Sequence, residues 1–393
     1  MRYPPGGYLL CNNLREDRQW KRTESKMNPL VELQAYGQSF WYDNLRRKFL
    51  NDGTLQSLID NDGLRGMTSN PSIFEKAIGQ SEDYDEQISQ EIKKGKDVER
   101  VFEALALADI RAACDLFAHL YESTSGGDGF VSLEVPPDLA ADTEQSISEA
   151  RRLFNEVGRP NVMIKIPATP EGIPAIRQLI GEGININITL MFSMAHYEAV
   201  AQAYLDGLNH LLDNGGDPAK VASVASFFVS RVDSAVDKKL AALNDPAAEA
   251  LMGKTAIANS KIVYQRFKDI FHGQAFDALR SAGAGVQRLL WASTSTKNPN
   301  YPDTLYVDAL IGPETVNTMP PDTIEAFRDH GTVTYTLEKD VEEAQLTLDN
   351  LVELGIDLDE VTEQLQKDGV EAFAKSFNEL MKTLEEKMAA LYT

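Results

Sequence analysis

Apolar and polar positions along this chain follow two periods that take turns. Short runs with period two, or with almost unbroken apolar character, predict strands; between them, apolar residues three and four apart predict helices. Strand-like runs fall at 39–43, 64–71, 129–135, 161–169, 184–192, 221–229, 288–294 and 314–319. Helical patterns fill the gaps, notably near 45–59 and across 80–122. The clearest helix start is Asp142, with Gln145 three residues on and then Ile147, Ala150, Phe154 and Val157 at helical spacing, closed by Gly158. Near the C-terminus, Val341, Ala344, Leu348, Leu351 and Val352 mark one amphipathic helix, and Val370, Phe373, Phe377, Leu380, Leu384 and Met388 mark another. Both are expected outside the main body.

Eight strands with interposed helices predict an α/β fold, a single (β/α)8 TIM barrel, whose reactive groups would sit at the C-terminal ends of strands. A doubly wound open sheet shares the same pattern. Polar residues inside the strands carry more information. In 161–169 a run that suits a strand buried on both faces contains Lys165, on one face with Met163 and Pro167. A buried ammonium is costly, and a neutral amine in an apolar pocket attacks carbonyl carbons. The alternative is a lysine at a strand end whose head reaches water. In 184–192, Asn185, Asn187 and Thr189 share a face opposite Ile184, Ile186, Ile188 and Leu190. With helices covering the outside, that polar row predicts an interior polar site.

Composition narrows the chemistry. With 38 basic and 60 acidic residues the formal net charge is -22, which disfavours nucleic acid as a partner. An anionic substrate would need a local cluster of cations. No apolar run has membrane-span length. Two cysteines, Cys11 and Cys114, form no disulfide framework and fit a reducing, cytoplasmic setting. The five histidines are scattered without ligand spacing, so no metal is expected, and the glycine-rich loops that bind nucleotides are missing. Residues 1–26, with Pro4-Pro5-Gly6-Gly7 and a basic segment at 15–26, are expected to be a disordered extension, an artefact of start-codon choice or a processed targeting piece. The single barrel domain with its C-terminal helices would be 27–393.

Seven stretches, in order, resemble the transaldolase family, Schiff-base aldol transferases, in its plant and actinobacterial-like branch. They are Gln38-Ser-Phe-Trp-Tyr-Asp43-Asn-Leu, Thr68-Ser-Asn70-Pro-Ser-Ile-Phe74, Val131-Ser-Leu-Glu134-Val, Met163-Ile-Lys165-Ile-Pro-Ala-Thr169, Asn185-Ile-Asn187-Ile-Thr189-Leu-Met-Phe-Ser193, Ala225-Ser226-Phe-Phe228-Val-Ser-Arg231 and Leu290-Trp-Ala-Ser-Thr-Ser-Thr-Lys297. The resemblance runs from about Met27 to the C-terminus and implies a (β/α)8 barrel that needs no cofactor. It makes Lys165 the amine that forms an imine with a sugar ketone, and Asp43 the acid–base carboxylate at the C4 hydroxyl. Glu134 and Thr189 match the pair that holds the water of imine formation. Asn70, Asn187 and Ser226 match the groups bonded to the hydroxyls of the three-carbon unit, and Arg231 matches a phosphate-binding arginine. Lys297 stands where other branches have a second arginine. Phe228, like Glu134, differs from related simple aldolases, which carry Tyr and Gln at these two places; the residues thus favour transfer. The implied partners are phosphorylated sugars, with a homodimer among the open assembly states.

Local alternatives accompany each assignment. Asp43 suits a helix N-cap and Asn70 a turn before Pro71. Glu134 and Thr189 could be buried polar groups satisfied by hydrogen bonds, Phe228 simple packing, and Arg231 an exposed partner of Asp233.

Overall fold

The computed structural model describes residues 27–392, and the expected extension at 1–26 lies outside the described residues. Eight strands close into an all-parallel barrel in chain order. They are β1 (Gln38–Asp43), β2 (Gly66–Thr68), β3 (Phe130–Glu134), β4 (Val162–Pro167), β5 (Ile186–Met191), β6 (Ser223–Phe228), β7 (Arg288–Ala292) and β8 (Thr315–Met319). Pairing of β8 with β1 completes the ring and removes the open-sheet alternative. In β4, β5 and β6 every residue is buried. Helices cover the outer face of such strands and their own side chains fill the inner face, so water reaches neither.

The helix Thr143–Val157 starts as its sequence predicts. Asp142 accepts a hydrogen bond from the backbone of Gln145 at 2.9 Å, and the Gln145 amide reaches back to the same carboxylate at 2.7 Å. Two expected helical stretches are each broken once. Region 80–122 contains Asp85–Lys93 and Val98–Ser123, and region 45–59 contains Arg47–Asn51 and Thr54–Asp62. The breaks hold Gly95 and Gly53 at φ of 76° and 84°, a left-handed backbone that glycine adopts without strain. The alternation expected through Leu190 also fails. Ile188 pairs with Ala225 and Met191 with Phe227, which leaves one extra residue on β5, a bulge with Leu190 at φ 60°.

Both C-terminal helices, Val341–Glu353 and Leu358–Leu391, lie outside the barrel. The second also crosses its C-terminal mouth. Gln366 donates to the carbonyls of Ala168 and Leu190 at 2.9 and 3.0 Å. Farther along, Ser72 bonds Ser376 at 2.9 Å, Phe102 stands edge-on between Phe74 and Phe377, and Lys387 pairs with Asp85 at 2.7 Å.

A charge cluster plugs the opposite end. Asp128, just ahead of β3, lies 2.6 Å from Arg65 and 2.9 Å from Arg288, and accepts from Ser39 at 2.8 Å and Trp41 at 3.3 Å. Burial would raise its pKa, but the Arg288 and Arg65 charges, with their hydrogen bonds, hold the carboxyl below its ordinary range. Among the described residues no helix is long and apolar enough to cross a membrane.

Candidate active site

Parallel strands bring all their C-terminal ends to one rim. At that rim a cavity of about 180 Å³ is lined by Asp43, Asn70, Lys165, Thr189, Ser226, Phe228, Arg231 and Lys297, with Thr68, Thr318 and Phe373 beside them. Glu134 and Asn187 stand just off its wall. Their place follows from register, because Lys165 on β4 pairs with Glu134 on β3 and with Asn187 on β5. Three neighbouring strands thus set a carboxylate, an amine and an amide side by side.

Lys165 is buried, and its Nζ lies 3.6 Å from Glu134 Oε2, within ion-pair reach but too far for a hydrogen bond. Its head therefore does not reach bulk water. Burial pushes the Glu134 carboxyl up to about 7; the Lys165 charge opposes that rise and the Asp43 charge adds to it. A carboxyl with such a pKa can both give and take a proton near neutrality. Glu134 Oε2 and Thr189 Oγ1 are buried without a hydrogen-bond partner in the protein. An unmet buried polar group costs about 1–3 kcal/mol, a cost that a site handling water or a hydroxyl relieves when it is loaded.

Asp43 ends β1 and accepts from Thr68 at 2.7 Å, while the Thr68 hydroxyl also lies 2.7 Å from that of Thr318. The next helix starts at Arg47 after Arg46, so Asp43 does not cap it. Burial raises the Asp43 pKa; Lys165, the Thr68 hydrogen bond, Lys297 and Arg231 oppose the rise. Asn70 does cap a helix, accepting from the Ile73 backbone at 3.0 Å, and keeps its amide nitrogen as the group it can offer a ligand. Asn187 is engaged within the barrel. It donates to Ser132 at 2.9 Å and accepts from Ser226 at 2.7 Å, so in this structure it holds Ser226 in place instead of opening on the cavity.

Arg231 and Lys297 share the cavity, and among the described residues neither forms an ion pair with a carboxylate. The Arg231 guanidinium stacks over the Phe228 ring at 5.1 Å, and Lys297 donates to Ser295 at 2.5 Å. Asp233, the partner suggested for Arg231, instead takes the Tyr306 hydroxyl at 2.9 Å and the Ala256 backbone at 2.7 Å. Burial lowers the pKa of both cations; mutual repulsion lowers Lys297 further, while Asp43 works against the fall in each. In a chain of charge -22, this cavity thus holds two cations without carboxylate partners among the described residues.

Sequence reasoning passed over Thr68, Thr318, Ser132 and Phe373. Thr68 could have been found, since it opens one of the stretches quoted above. The spacing of Phe373 fits an apolar helix stripe and gives no sign of the site.

The family profile "Transaldolase/Fructose-6-phosphate aldolase" matches residues 40–384 of the chain. The chain belongs to the transaldolase/fructose-6-phosphate aldolase family. It is 49% identical to a transaldolase of Trichodesmium erythraeum over 93% of this chain and 98% of that protein. A protein of Nostoc punctiforme named transaldolase 2 is 48% identical over 93% and 98%. A transaldolase of Mycolicibacterium paratuberculosis is 45% identical over 92% and 98%. The matched span takes in β2 to β8 whole and β1 from Phe40 onward, so it covers the residues that line the rim cavity.

Proposed function

We propose that this chain is a transaldolase. It moves a dihydroxyacetone unit from sedoheptulose 7-phosphate to glyceraldehyde 3-phosphate, giving erythrose 4-phosphate and fructose 6-phosphate. The observation that carries this reading is the buried Lys165 amine, 3.6 Å from the Glu134 carboxylate, in a cavity that also holds Asp43 and the Arg231–Lys297 pair. Family membership and the relatives named transaldolase support it.

In this mechanism the Lys165 amine attacks the ketone carbon of the donor. Glu134 and Thr189 manage the water that leaves, with Glu134 passing the proton. The resulting iminium draws electrons, Asp43 takes the C4 hydroxyl proton, and the C3–C4 bond breaks. The three-carbon enamine stays on Lys165 until its carbon attacks an acceptor aldehyde, whose oxygen recovers the proton from Asp43, and water then hydrolyses the new iminium to free the ketose and the amine. Arg231 and Lys297 hold phosphate, Asn70 and Ser226 hold sugar hydroxyls, and Asn187 positions Ser226. The proposed setting is cytoplasmic and the proposed assembly a homodimer, which sedimentation checks.

Borohydride reduction in the presence of fructose 6-phosphate tests the reading. A reduced three-carbon adduct on the Lys165 peptide is expected, and an unmodified Lys165 would overturn it. Omission of the acceptor aldehyde separates transfer from simple cleavage: slow release of dihydroxyacetone is expected, whereas rapid turnover without acceptor would make the chain an aldolase.

A further inference from the structure

The C-terminal helix crosses the barrel mouth with one side chain above the reacting amine. The Phe373 ring centre lies 5.5 Å from Lys165 Nζ. The same ring lines the rim cavity on one side and, on the other, a small space beside Glu134, Pro167 and Leu190. It therefore forms the partition between the two.

The helix is seated so that this ring cannot drift. Gln366, two turns before Phe373, is buried and spans the carbonyls of Ala168, just past the end of β4, and Leu190, on β5. Gly369 lies against Leu190 so closely that a Cβ there would stand 2.8 Å from Leu190 Cδ2. The left-handed Leu190 backbone is itself a costly conformation, and residues held that way gather where function needs a set geometry. On the far side, Ser376 and Phe377 bind the helix to the body.

We propose that Phe373 is a specificity-determining residue that keeps the enamine for transfer. This rests on the Lys165 Schiff-base reading above. After the C3–C4 bond breaks, the enamine carbon is two bonds from the Lys165 nitrogen and has two fates. In transfer, that carbon forms a bond to the acceptor aldehyde carbon, the aldehyde oxygen takes a proton, and one water then hydrolyses the new ketose iminium to free the sugar and the amine. In release, the carbon takes a proton from water, hydroxide then adds to the iminium carbon, and the carbon–nitrogen bond breaks. Release yields free dihydroxyacetone and the free amine, with one water consumed. An apolar ring beside the nitrogen withholds water from the enamine carbon two bonds away, which release must protonate and transfer need not. It leaves that carbon open to an aldehyde bound by Arg231 and Lys297. The hydrolysis that ends transfer uses the water handled by Glu134 and Thr189. Exclusion of water is the general way in which sites suppress hydrolysis of reactive intermediates.

The experiment measures a ratio within one enzyme: dihydroxyacetone released from fructose 6-phosphate without acceptor, divided by transfer to erythrose 4-phosphate. The ratio does not depend on the folded fraction, so loss of some protein to misfolding leaves it interpretable. Phe373→Ala should raise it about tenfold, and Phe373→Leu, which keeps an apolar cover, less than about threefold. An Ala ratio within about twofold of wild type, or a Leu variant as leaky as Ala, overturns the proposal. If wild-type Lys165 is not trapped by borohydride, the Schiff-base reading itself fails. If it is trapped and the ratio stays put, only the role of Phe373 fails.

Discussion

At the N-terminal end of the barrel, Asp128 meets two guanidinium groups and two neutral donors; at the other end Glu134 meets one ammonium at 3.6 Å and keeps an oxygen bonded to nothing. Asp128 is buried, and the Glu134 side chain is 9% exposed. The first is held below its ordinary pKa and the second is pushed up to about 7, because two close cations outweigh burial and one distant cation does not. One end ties its charges into a network of ion pairs and hydrogen bonds. The other leaves Glu134, Thr189, Arg231 and Lys297 under-satisfied, which is what a site for a polar, anionic substrate requires.

The largest effect that tests this contrast is at Lys165. Lys165→Ala should cut transfer by about 10⁴-fold or more, since the covalent step has no substitute nucleophile, while circular dichroism shows the barrel still folded. Activity within about tenfold of wild type would break the assignment. Asp128→Asn should do the reverse. It leaves Arg65 and Arg288 without their counter-charge and should cost about 3–5 kcal/mol in urea unfolding, with turnover per folded molecule unchanged. A catalytic defect larger than the folding defect would mean that the two ends are coupled.

The same contrast explains what could be read from the chain. Eight strands were legible because strands in a covered parallel barrel are apolar almost throughout, and Lys165 stood out against that background. The plug was not legible. Ser39, Arg65, Asp128 and Arg288 sit on four different segments, and no local period links them; only barrel closure does. Strand and helix ends were blurred where one residue decides, as at Gly53, Gly95 and the Leu190 bulge. Phe373 was hidden for a different reason: its spacing fits a packing stripe whether or not the helix passes over a site. Asn187 was legible as an interior polar group, but its place beneath Ser226 depends on register with β6, which the sequence does not display.

Arg231 offers the next test. Arg231→Ala should raise the KM for phosphorylated ketoses by about 10–100-fold, the worth of a charge-assisted contact to phosphate, with a smaller change in kcat. Fructose, which has no phosphate, should be affected little. Equal losses for both sugars would remove the anion subsite and with it one of the features that separate the rim from the plug.

The smallest effect is on stability, and it has a sign. The Glu134 pKa rises from 4.5 in the unfolded chain to about 7 in the fold, so between those values the native state binds the extra proton. Native stability then falls as pH rises through that window, by at most about 3 kcal/mol from this group. Glu134→Gln cannot ionise and lacks that loss. It does leave Lys165 without its counter-charge, which reduces the net gain to about 1 kcal/mol. The variant should therefore gain on wild type in urea unfolding between pH 4.5 and 7, even as its transfer activity falls. Asp128 has its pKa depressed, so its stabilisation is full above the ordinary carboxylate range and is lost only as pH falls below it. The Asp128→Asn deficit should accordingly stay level across the same window. A level difference for Glu134→Gln as well would mean that the two carboxylates are held alike, and the distinction between the ends of the barrel would not stand.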